Sequence, residues 1–83
     1  MSEVRLVLEW FEKDGDDLVG RSAHIKVDES AFEAAFGLES GQARKGLFLV
    51  TPSTVEWIND QFGVCCDLAQ CDYFAGYESV SKE

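Results

Sequence analysis

The sequence predicts an α+β domain: a single four-stranded antiparallel sheet with two short helices on one face. Three observations carry this expectation. Val4, Leu6, Leu8 and Trp10 alternate with Arg5, Val7, Glu9 and Phe11, the period of a strand with one buried face. Asp14-Gly15 follows within an Asp-rich tip, a signal for a tight hairpin turn. Two later segments, 30–37 and 51–63, place apolar residues three and four apart between a capping residue and a glycine, which is the punctuation of short helices.

Taken in order, the first strand is expected over 3–13 and its return over 18–27. Val19, Ala23, Ile25 and Val27 would then share the core face with Val4, Leu6, Leu8 and Trp10. Arg5, Val7, Glu9, Phe11, Leu18, Ser22, His24 and Lys26 would share the other. Asp28-Glu29-Ser30 opens the first helix. Ser30-x-x-Glu33 has the spacing of a capping box, Phe32, Ala35 and Phe36 make an apolar stripe, and Gly37 suits the stop. Residues 38–45 read as a polar loop. Residues 46–50, GLFLV, read as a central strand. Thr51-Pro52 starts the second helix, in which Val55, Ile58 and Phe62 line one face before Gly63. The last element covers 64–78, with a break at Ala69-Gln70 and extended chain from Cys71 to Tyr77. Residues 79–83 are expected to fray.

A chain of 83 residues with 46% hydrophobic composition suits one domain, 1–83, with a modest core. No apolar run approaches the ~20 residues of a membrane span. The N-terminus lacks a basic stretch followed by an apolar one, so a cytoplasmic location is expected. Sixteen acidic residues against seven basic ones give a formal net charge of −9. Such a field repels nucleic acid and anionic membranes, and speeds encounter with a basic protein. The plainer account of the charge is solubility.

Cys65, Cys66 and Cys71 match no usual zinc spacing and are expected to be reduced, metal-free and packed as small hydrophobes. Chemistry has little support. His24 is the one histidine, and no nucleophile motif or phosphate-binding loop is present. No enzyme and no cofactor are expected. A binding surface is better supported: Phe11 and Leu18 on the face opposite the core, rimmed by Glu9, Glu12, Asp16 and Asp17. The competing account is that Phe11 and Leu18 simply pack on each other across the hairpin.

The hairpin 4–20, VRLVLEWFEKDGDDLVG, resembles the cloacin immunity proteins, which protect colicin producers from their own ribosome-cleaving ribonuclease. The resemblance continues in Gly46-x-Phe48-x-Val50, in the distance from there to Phe62, and in Asp67 followed by Tyr73-Phe74. It covers more than half the chain; residues 21–45 align only loosely. In that family the exposed sheet face binds the nuclease domain. The resemblance therefore implies a partner-binding set of Glu9, Phe11, Glu12, Asp16, Leu18, Arg21, Leu47, Tyr73 and Tyr77. It implies an inhibitor of a basic nuclease toxin, with no direct contact to nucleic acid or membrane. Leu18 stands where the family has Phe, Arg21 where it has Glu, and Leu47 where it has Cys. The family's helical Trp falls on Thr54, one turn before Trp57. The alternative reading is a small acidic interaction or regulatory domain with no toxin partner. Self-association as a homodimer stays open.

Overall fold

The alternating N-terminal run forms β1 (Ser2–Glu12), the spine of the fold. The structure is a computed structural model that describes residues 2–15 and 17–81. After β1 come β2 (Leu18–Arg21), α1 (Glu29–Phe36), a 3₁₀ turn (Gln42–Arg44), β3 (Leu47–Leu49), α2 (Val55–Phe62) and β4 (Cys71–Ser81). The strands make one antiparallel sheet in the order β2-β1-β4-β3. The expected fold class is therefore the one observed.

β1 and β4 pair along their whole length, from Ser2↔Ser81 to Glu12↔Cys71. This register puts Leu6 beside Tyr77, Leu8 beside Ala75 and Trp10 beside Tyr73 on one face. Both helices cover that face. Phe32 of α1 and Ile58 of α2 join Leu6, Leu8, Tyr73 and Ala75 in one buried cluster. Phe32, fully buried, meets Phe36, Phe48, Trp57 and Tyr77 with ring centroids 4.4–5.9 Å apart. Such aromatic packing supplies much of the apolar burial that a chain this short can reach.

Several sequence-based expectations change. The return strand stops at Arg21, and its continuation touches β1 only at the Leu6↔Ile25 bridge. Between Trp10↔Gly20 and Phe11↔Leu18 the register shifts, so Val19 bulges out and is exposed instead of facing the core. Gly20 is needed where it stands: a Cβ there would lie 2.3 Å from the Trp10 indole. Ala23 is exposed as well, whereas Ile25 and Val27 pack on the core cluster. At the tip, Gly15 N–H donates to Glu12 O, and Glu12 N–H donates to Asp17 O. Gly15 has no positive φ.

The capping box does not form. Ser30 falls inside α1, whose N-cap Asp28 makes no side-chain capping bond. Glu33 is instead buried, and its Oε2 accepts the Gly41 and Ala43 N–H groups at 2.8 and 3.2 Å. It thereby pins the loop leading to β3, as a buried carboxylate must find donors. Gly37 ends α1 in the left-handed region, as expected. Residues 51–54 form a turn in which the Thr51 N–H donates to Thr54 Oγ1, so α2 proper starts at Val55. β3 is an edge strand, not a central one. Residues 64–67 are irregular, and β4 runs on to Ser81, past the point where fraying was expected.

Candidate functional site

The face turned away from the helices gathers Arg5, Val7, Glu9 and Phe11 from β1, with Leu18 and Arg21 from β2. Asp72, Phe74, Gly76 and Glu78 come from β4, and Leu47 and Leu49 from β3. The bulge at Val19 is what lets Leu18 and Arg21, three residues apart, share this face; unbroken alternation would put them on opposite faces. Leu18, Leu47 and Leu49 are each 50% exposed. That is an unusual concentration of large apolar side chains on the surface of an acidic chain.

The face divides into three zones. At its centre Val7 is buried, against the expectation that this whole face lies open. Val7 stands beside Gly76, and Gly76 beside Leu47, in one row across the sheet. Leu47 leans over Gly76, where a Cβ would meet Leu47 Cδ2 at 2.7 Å.

Towards the β2 edge lies an ionic cluster. Arg21 Nη2 bonds Glu78 Oε1, Arg21 Nε lies 3.3 Å from Glu9 Oε2, and His24 Nε2 lies 2.7 Å from Glu78 Oε1. Hydrogen bonding from His24 first, and then from Arg21, outweighs burial and holds the Glu78 carboxyl below the usual carboxylate range. Arg21 is thus engaged within its own chain.

Towards the hairpin tip the surface is concave. Phe11, Glu12, Gly15, Leu47, Asp72 and Phe74 line a hollow of about 430 Å³. Phe11 and Phe74 meet edge-on, with centroids 5.9 Å apart and planes at 79°. Lys13 Nζ, 3.2 Å from Asp72 Oδ1, also donates to Leu68 O at 2.7 Å, so Asp72 is held from the side. Among the described residues, Glu12 has no cation within ion-pair distance. Phe11 faces Leu18 across the hairpin, the register that the competing account of cross-strand packing requires. Leu18 nevertheless stays half-exposed, and the Phe11 ring turns to Phe74.

Of the expected partner-binding residues, Glu9, Phe11, Glu12, Leu18, Arg21 and Leu47 lie on this face or its rim. Asp16 lies outside the described residues. Tyr73 and Tyr77 need correcting: both sit on the helix-covered face. The Tyr73 hydroxyl accepts the Asp67 N–H at 3.2 Å, and its ring lies 5.6 Å from Trp10. The Tyr77 hydroxyl donates to Val27 O at 2.7 Å, and burial, followed by the charges of Glu29, Asp28 and Glu33, pushes its pKa up to about 12. Neither tyrosine is available to a partner on the open face. Asp72, Phe74, Glu78 and Leu49 take their place. The signal for them was the alternation of 72, 74, 76 and 78 against 73, 75 and 77. The adjacent Tyr73-Phe74 pair left open which of the two points inwards.

The cysteines stand apart from this face. All three are free; Cys65 is exposed rather than packed, while Cys66 and Cys71 are half-buried. Burial, with a smaller contribution from Cys65, pushes the Cys66 thiol up, which makes it a poor thiolate. Among the described residues no group of three or more His, Cys, Asp or Glu is placed to hold a metal ion, and no helix is long and apolar enough to cross a membrane. No protein-family profile matches the chain, and no curated protein matches it.

Proposed function

We propose that this protein is an immunity-type inhibitor that binds a basic bacterial nuclease toxin, a ribonuclease by the resemblance of its hairpin, through the open sheet face. The observation that carries the reading is an apolar surface, made of the half-buried pair of Phe11 and Phe74 and the exposed Leu18, Leu47 and Leu49, beside the carboxylates of Glu12 and Asp72. A nuclease must present basic groups to phosphate. An acidic face with an apolar centre can cover those groups and exclude substrate. Inhibition by occupancy asks no chemistry of this chain. The charge of −9 disfavours a second copy of the chain as the occupant and favours a cationic one.

The test is affinity capture from the native host, followed by a nuclease assay of what is captured. The expected outcome is a basic protein whose nuclease activity is abolished by one equivalent of this chain and restored when Phe11→Ala/Phe74→Ala replaces it. A captured partner with no nuclease activity would leave the second reading, a small acidic interaction or regulatory domain. The resolved ionic cluster around Arg21 is the feature that favours that alternative, because it departs from the family's recognition surface.

A further inference from the structure

The hollow beside the hairpin tip differs from the rest of the open face in both shape and charge. Its floor is aromatic and aliphatic: Phe11 and Phe74 edge-on, with Leu47 at one side. Its rim carries the carboxylates of Glu12 and Asp72. At the far edge of the same face Glu9 and Glu78 are already matched by Arg21 and His24. At the hollow one cation, Lys13, stands against two carboxylates: it pairs with Asp72, and Glu12 has no cation of its own among the described residues, which leaves net negative charge there for a visitor. Lys13 braces Asp72 from outside, anchored by its bond to Leu68 O.

We infer that this hollow is a seat for one arginine side chain of a protein partner. The methylenes lie against Phe11, Phe74 and Leu47, and the guanidinium sits between Glu12 and Asp72. The choice of arginine over lysine follows from the walls. A guanidinium is planar, weakly hydrated and carries its donors in a fork, so it can cover an aromatic face and still reach two carboxylates. An ammonium is a strongly hydrated point charge that gains little from a phenyl floor. The inference rests on the open face being a docking surface for a basic partner, and it names the group that surface is built to hold.

The test needs no partner. Blocked arginine (N-acetyl-arginine amide) is titrated into the full chain and amide shifts are followed by NMR, with the matching lysine and citrulline compounds as controls. Citrulline keeps the shape and loses the charge. Arginine is expected to give saturable shifts centred on Phe11, Glu12, Leu47, Asp72 and Phe74, with weak, roughly millimolar affinity, as suits one side chain. Citrulline should bind at least about tenfold more weakly, and Glu12→Gln, Asp72→Asn and Phe74→Ala should each weaken arginine several-fold. Glu12 and Asp72 are surface residues, so their neutral variants can be checked for unchanged melting and then compared directly.

Equal shifts from arginine and citrulline would overturn the inference. So would shifts spread over the acidic surface around Glu39, Glu56 and Asp60. If arginine seats in the hollow while the captured partner is no nuclease, the toxin reading fails and the seat stands. If a nuclease is captured and inhibited equally well by Glu12→Gln/Asp72→Asn, the seat fails and the toxin reading stands.

Discussion

The two faces of this one sheet are made by the same alternation, yet they are finished in different ways. On the covered face the middle of the two central strands meets other elements: Leu6 and Leu8 are fully buried, and the Tyr73 and Tyr77 hydroxyls bond the Asp67 amide and the Val27 carbonyl. Among the described residues of the open face, Val7 and the neighbouring Gly76 are buried, and the leucines of β2 and β3 stand half in water. Charge is handled differently too. Glu33, buried on the covered side, is satisfied by two backbone amides. On the open side Glu9 and Glu78 are matched by cations at one edge, whereas at the other Lys13 pairs with Asp72 and leaves Glu12 without a cation among the described residues. The lesson is that alternation alone does not divide stability from recognition. The division follows from where the helices land and from which carboxylates find partners inside the chain.

The comparison can be broken most directly at its strongest contrast. Phe32→Ala removes the fully buried hub of the aromatic cluster and is expected to cost about 3–5 kcal/mol, a large share of a small domain's stability. Denaturant melts that move by less than about 1 kcal/mol would mean the covered face is not the core. Phe11→Ala should do the reverse. It should weaken binding to the captured partner by about 2 kcal/mol or more, while melting moves far less than for Phe32→Ala. Loss of fold with full affinity in the remaining folded fraction would make Phe11 a core residue.

Tyr77→Phe sharpens the comparison by testing a tyrosine that the sequence placed on the wrong face. Loss of the bond to Val27 O should cost about 1 kcal/mol near neutral pH and leave partner binding unchanged. The raised pKa also fixes a sign. Where the unfolded phenol has lost its proton, the native one keeps it, so its contribution is whole below about 10 and is lost as pH rises towards about 12. The variant should flatten that alkaline slope, read by melts across the same range.

The smallest effect belongs to Glu78→Gln at the ionic edge. The native carboxyl titrates below its ordinary value, so its contribution is present above about pH 4.5 and is lost as pH falls through the lower native value. The variant should therefore be slightly less stable than the parent at about pH 7, by a margin that shrinks towards about pH 3. Glu78 is well exposed, so solvent screening keeps the difference small. An equal difference at both pH values would show that the cluster contributes nothing through charge.

What the sequence determined by itself was the local content: the long strand with its buried stripe Leu6-Leu8-Trp10, the hairpin at the acidic tip, two short helices ended by Gly37 and Gly63, and Phe11 opposite the core. Those features follow from periods of two and 3.6 and from capping chemistry, all readable within a dozen residues. What only the tertiary structure decided was long-range. β3 went to the edge because β1 and β4 pair along their full length and occupy the centre. Tyr73 and Tyr77 turned inwards, and Phe74 outwards, because that register ties their parity to Trp10 and Leu6, far away in the chain. The bulge at Val19 and the bonds from the Gly41 and Ala43 amides to Glu33 are likewise features that no local pattern specified. They were settled by which arrangement let the helices close over one face and left the hollow of Phe11 and Phe74 on the other.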